Sequence, residues 1–171
     1  KNLFFHQRWR DVIILYLLLN YNCRNQDVNV EIVNSIHATK HDKKRNYIVI
    51  RKEDFVFIRN NYINKKIYKQ KRHHFKSILF SRALKYYCNL QNKNQPIYLI
   101  HNGNGERVQD YKVNKFISIA TDGLTHDDIH KIQLKLIEDN GDIEGLRQMA
   151  ERRGDSIENL IELNNLKLEN I

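Results

Sequence analysis

The sequence predicts an α+β fold: a single, mostly helical domain over residues 1–171 with a small antiparallel three-stranded sheet. Three observations predict it. Apolar residues recur at helical spacing over 6–20, the period falls to two over 47–75, and the helical period returns from Ser77 onward. A single proline and six glycines leave no Gly/Ser-rich or Pro-rich linker to divide the 171 residues.

Trp9, Val12, Ile13, Tyr16, Leu17 and Leu19 mark a buried first helix, which "NYNCRN" (20–25) breaks. "VNVEIV" (28–33) is short and β-branched, a strand or a brief helix. "YIVIRK", "DFVFIRNNYI" and "KIYKQKRHHF" read as the three strands, with reversals at Glu53-Asp54 and Asn64-Lys65 and mostly Lys, Arg and His outward. Ile78, Leu79, Ala83, Leu84 and Tyr87 line one face of the next helix, which "NKNQP" ends. "IYLIH" (97–101) is a short strand, and "NGNG" (102–105) is a turn. The turn lacks the spacing of a glycine-rich phosphate loop.

A helix follows over about 110–121. Thr125 with Asp128 makes a capping-box start for a helix carrying Ile129, Ile132, Leu134, Leu136 and Ile137, which Asn140-Gly141 closes. Asp142 caps the next helix and Gly154 closes it. Asp155 or Ser156 caps the last, with Ile157, Leu160, Ile161 and Leu163 inward. In this frame "RGDS" (153–156) is a helix stop and a helix start. An adhesion tag would need an exposed loop instead.

Hydrophobic content of 41% excludes a disordered chain. The longest apolar run, "VIILYLLL" (12–19), is too short to span a bilayer and no small-residue cleavage site follows it, so no membrane partner is expected. Cys23 and Cys88 do not make a secreted disulfide scaffold, which favours an intracellular setting. None of the eight histidines stands in a zinc-binding arrangement with the cysteines; His126 and His130 share a helix face at i, i+4, but neither a metal nor a cofactor is expected. The formal charge is +9, unevenly spread: residues 1–76 hold 17 Lys/Arg against 6 Asp/Glu, and residues 122–171 hold 6 against 12. A basic stretch interleaved with Tyr and Phe suits a polyanion, because each cation at a phosphate releases condensed counterions. Arg51, Arg59, Lys65, Lys66, Lys69, Lys71 and Arg72 are the expected phosphate contacts, with nucleic acid as the partner.

The element order, with "YNCRNQDV" after the first helix and "DDIHKIQLKLIEDNGDIEGLRQMAERRGDSIENLIEL" at the end, resembles the catalytic domain of the tyrosine recombinases, the phage-integrase family. The resemblance runs from about Leu3 to Leu168. It implies that Arg24 is the family's first arginine, with Asp27 at the acidic position. Lys65 or Lys66 would be the hairpin lysine. The family's "H-x-x-R-H" helix maps on "DDIHK", which puts Asp127 and His130 at its histidine and arginine; moving the frame to His126 puts Ile129 at the arginine. "GDS" stands for "G-H-S", so Asp155 replaces a histidine or tryptophan. Leu163 or Asn164 falls where the nucleophilic tyrosine belongs, and no tyrosine follows Tyr111.

Strand cleavage in that family needs a tyrosine oxygen to attack the phosphodiester, and cationic donors to hold the added charge. Asp127 and Asp155 would set negative charge beside it. The resemblance therefore implies an inactive enzyme of viral or mobile-element type, with no cofactor, that keeps duplex binding and has Arg24 among its DNA contacts. The expected location is the nucleus or a viral replication site. The alternative is a structural or assembly protein using the same fold for protein contacts. Under either reading residues 155–171 form a C-terminal docking helix able to support self-association.

Overall fold

The structure is a computed structural model and describes residues 2–37, 42, 44–52, 54–60, 70–75, 77–91, 96–153 and 156–164. Helix α1 (Asn2–Tyr21) carries His6, Arg10, Ile13, Ile14, Leu17 and Leu18 along its buried side, spaced by three and four residues. Asn22 ends it in the left-handed region (φ 47°), with its amide donating to the Leu18 carbonyl at 3.1 Å. A single 3-10 turn (Asn25–Asp27) then leads into the sheet.

The sheet holds five strands: β1 (Val30–Val33), β2 (Asn46–Ile50), β3 (Phe55–Arg59), β4 (Lys71–Phe75) and β5 (Ile97–Tyr98), in the order β4-β3-β2-β1-β5. The predicted antiparallel trio is present as β2, β3 and β4, with Ile50 opposite Phe55 and Arg59 opposite Lys71. The expectation of a three-stranded antiparallel sheet is nevertheless corrected. β1 pairs parallel with β2, placing Val30 beside Asn46, and β5 adds antiparallel to β1. The result is a mixed sheet. A parallel pairing needs a crossover and leaves no hairpin signal in the sequence.

The outward face of Lys, Arg and His is corrected as well. Every residue of β2 and β3 is buried. Ile48, Ile50, Phe55 and Phe57 enter the main core with α1, while Tyr47, Val49, Val56 and Ile58 form a second cluster with Val33 and Ile36. A strand covered on both faces is apolar throughout, as "YIVI" and "FVFI" are. The cations are left to the strand ends and to edge strand β4.

Helices α2 (Ile78–Asn89) and α3 (Val113–Ala120) close the main core. The Ser77 Oγ caps α2 by accepting from the Phe80 amide at 3.3 Å. The helix buries Phe80, Ala83, Leu84 and Tyr87 but turns Ile78 and Leu79 out, contrary to the face expected. Helices α4 (His126–Asp139), α5 (Ile143–Arg153) and α6 (Ile157–Asn164) build a satellite core from Leu134, Leu146, Met149, Ala150 and Leu160, leaving Ile132 and Leu136 exposed. The Asn140-Gly141 stop falls as expected, with Gly141 at φ 59°. Asp142 caps α5 by accepting from the Gly145 amide, and Ser156 caps α6 by accepting from the Asn159 amide. Through Asn164, then, α6 lays Ile157, Leu160 and Ile161 on its own chain. Cys23 and Cys88 are both free thiols.

Candidate functional site

The site lies where the end of β3 and the start of β4 meet the last turn of α5. The last carbonyls of a helix lack partners within it and carry the negative end of its dipole. In α5 two of them are met by cations from the sheet: Lys71 donates to the Glu151 carbonyl and Arg59 to the Arg152 carbonyl. Arg59 also donates to Asp27 at 2.5 Å, and neither side chain has any exposed surface. Asp27 in turn accepts from the Arg24 amide at 2.9 Å, which fixes the 3-10 turn that carries Arg24. Burial pushes the Asp27 carboxyl up, while Arg59 and the Arg24 amide pull it back.

One cleft opens in this region. Lys71, Arg72 and His73 of β4 face Gln148, Glu151 and Arg152 of α5 across a cleft of about 330 Å3. Arg72 donates to Gln70 at 2.6 Å, and Arg152 to the Asn20 carbonyl and to Gln148. Those acceptors orient the guanidinium groups without neutralising them. His126 and His130 of α4 both feel Arg24 and Arg153.

The histidines are held down first by burial and then by the cations near them. His73 is lowered to about 4 by burial and then by Arg59, Lys71 and Arg152. His130 is lowered to about 3 by burial, Arg153 and Arg24, and His126 is lowered by burial, with Arg153 and Arg24 adding to it. At neutral pH His130 is therefore uncharged, and its buried Nδ1 has no hydrogen-bond partner among the described residues. Three neutral imidazoles sit in a positive field.

The predicted residues divide accordingly. Arg24, Lys71, Arg72 and His130 belong to the site. Arg59 does not: the expectation that it tracks phosphates is corrected, because it is wholly buried between Asp27 and α5. Arg51 lies past the far end of β2, paired with Asp54 at 3.8 Å. Asp127 is a correction too. Its side chain is 62% exposed and contacts His126 at 3.2 Å, while His126 takes the inward position. Ile129, between the two histidines, packs into the main core. Asn164 is the last residue of α6. Lys65, Lys66, Lys69 and Asp155 lie outside the described residues. Sequence reasoning missed His73, Arg152 and Arg153, and weighed His126 only as a metal ligand or an alternative frame. The Arg152-Arg153 pair at the close of α5 was the available signal, since cations collect at helix C-termini.

No protein-family model, curated protein or solved structure matches the chain. Among the described residues no group of three or more His, Cys, Asp or Glu could hold a metal ion. Among them, too, no helix is long and apolar enough to cross a membrane.

Proposed function

We propose that the chain binds double-stranded DNA through this cationic cleft and does not cut it. One observation carries the reading. Lys71, Arg72 and Arg152, drawn from an edge strand and a helix end, line one cleft, and Arg24 and Arg153 add their charge at His130 of α4. Phosphates want a row of cations at fixed spacing, and rigid elements supply it better than loops. The absence of cleavage is supported by the chemistry at hand. Tyr21, which packs its ring 5.3 Å from His73, has its hydroxyl pushed above the usual phenol range, first by burial. Such a group is a poor nucleophile. In the recombinase-like frame on His126, an apolar Ile129 stands where a second arginine would stabilise the phosphorane, and each such donor is worth about 3 kcal/mol.

Fluorescence anisotropy of a labelled 20-bp duplex at several salt concentrations tests the binding half. Affinity should fall steeply with salt, and Lys71→Glu/Arg72→Glu/Arg152→Glu should flatten the log–log slope by about one unit per lost contact. The loss should be the same for unrelated sequences. Unchanged affinity in the triple variant, or no binding at low salt, overturns it. A suicide duplex run on a denaturing gel tests the other half: no covalent adduct is expected, and a tyrosine-linked adduct from the unmodified chain sinks it.

A further inference from the structure

At the other end of β3 from the cleft, the β2–β3 turn and the first two turns of α2 enclose a second concavity, of about 790 Å3. Five strand residues separate the two, roughly 13 Å at 3.3 Å per step. Four cations, Arg51, Lys52, Arg82 and Lys85, line it against Asp54 among the described residues. Lys85 bridges the rim by donating to the Lys52 carbonyl at 3.1 Å. Ile78 is the one aliphatic residue in the lining among the described residues, at 69% exposure, and its chain neighbour Leu79, outside the lining, is 80% exposed. In the floor lies Ser81, only 6% exposed, whose Oγ has no hydrogen-bond partner among the described residues. A buried hydroxyl with nothing to bond is uncommon and costs stability unless something else completes it.

We infer that this groove docks an acidic segment of a protein partner, one that carries Asp or Glu beside aliphatic or aromatic side chains. The cations match its carboxylates, Ile78 and Leu79 cover its apolar side, and Ser81 hydrogen-bonds a carbonyl or carboxylate oxygen that reaches the floor. A phosphate backbone would leave Ile78 facing charge. A lipid surface would call for a broad apolar face, whereas Ile78 is the single aliphatic residue among the described lining of a concavity that also holds Asp54.

The test is selection of a random 12-residue peptide library on the full chain, followed by affinity measurement on the recovered peptides. Recovered sequences should be enriched in Asp and Glu together with Leu, Ile or Phe. Arg82→Glu/Lys85→Glu should weaken them about tenfold, as two reversed rim charges worth some 0.7 kcal/mol each would. Leu79→Asp, a change at an exposed position that leaves folding intact, should weaken them as well, and Ser81→Ala should do so with no loss of thermal stability. Lys71→Glu/Arg152→Glu should leave peptide affinity unchanged, which separates this site from the DNA cleft. Failure to recover acidic peptides, or peptides indifferent to both Arg82→Glu/Lys85→Glu and Leu79→Asp, overturns the inference. So does competition by a 20-bp duplex with equal sensitivity to the Arg82/Lys85 reversal, which would make the groove part of a nucleic-acid surface. Binding to phosphatidylserine vesicles that is lost in Leu79→Asp would overturn it in favour of a membrane.

Discussion

Asp27 and Arg59 stand 32 positions apart and meet with no solvent on either. A buried ion pair adds little over a well-packed apolar pair, but removing one member strands the other charge. Asp27→Asn should therefore cost about 3–5 kcal/mol, and Arg59→Met a similar amount. The double variant Asp27→Leu/Arg59→Met should recover much of the loss. Recovery should be incomplete, because the Arg152 carbonyl at the end of α5 also loses its donor. Urea unfolding of the two single variants and the double one checks this; strictly additive losses would show that the pair is not coupled. The same pair holds the turn that carries Arg24. The carboxylate of Asp27 accepts from Arg59 and from the Arg24 amide, which fixes the 3-10 turn.

At the scale of elements, α4 is the one that brings His126 and His130 to Arg24, and its start is set locally. Thr125 Oγ1 accepts from the Asp128 amide at 3.2 Å, and Asp128 accepts from the Thr125 amide at 2.9 Å. Thr125→Ala should cost about 1 kcal/mol in urea unfolding at pH 7, and Thr125→Ser close to nothing. Equal losses for the two would mean that the methyl, not the hydroxyl, is what matters. This capping box was legible because its donors and acceptors are three residues apart. The cations of the middle strands were misread for the opposite reason. Arg59 closes an apolar run, "FVFI", on a central strand, whereas Lys71 and Arg72 open the edge strand β4, and strand order decides which of these cations is covered.

For the whole molecule, three histidines on three elements give stability a pH dependence. His6 on α1 stacks on Tyr87 with ring centroids 4.4 Å apart, His73 lies on β4 and His130 on α4. Folding lowers them from 6.5 to about 4, about 4 and about 3, in each case first by burial. A depressed value means that the unfolded chain binds protons the folded chain refuses. Their contribution is thus complete above pH 6.5 and is lost as pH falls toward 4. Stability should be level just above neutrality and decline below pH 6.5 by up to one proton per histidine. His130→Gln should remove one proton from that slope; a slope identical to the parent's between pH 4.5 and 6.5 would exclude His130 as a source.

The sequence by itself determined the helix ends, the capping residues, the antiparallel trio and the place of Arg24 with Asp27 three residues on. The caps and helix ends depend on neighbours within a turn of chain, and the trio on period-two runs joined by short reversals, so spacing is enough. Only the tertiary structure decided which cations stay in solvent. Arg59 is withdrawn by Asp27 and by Arg152, 32 and 93 positions away. It also decided the parallel pairing of β1 with β2, the inward turn of His126 over Asp127, and the exposure of Ile78 and Leu79. Desolvation is a property of what packs around a residue, and distant parts of the chain supply that packing.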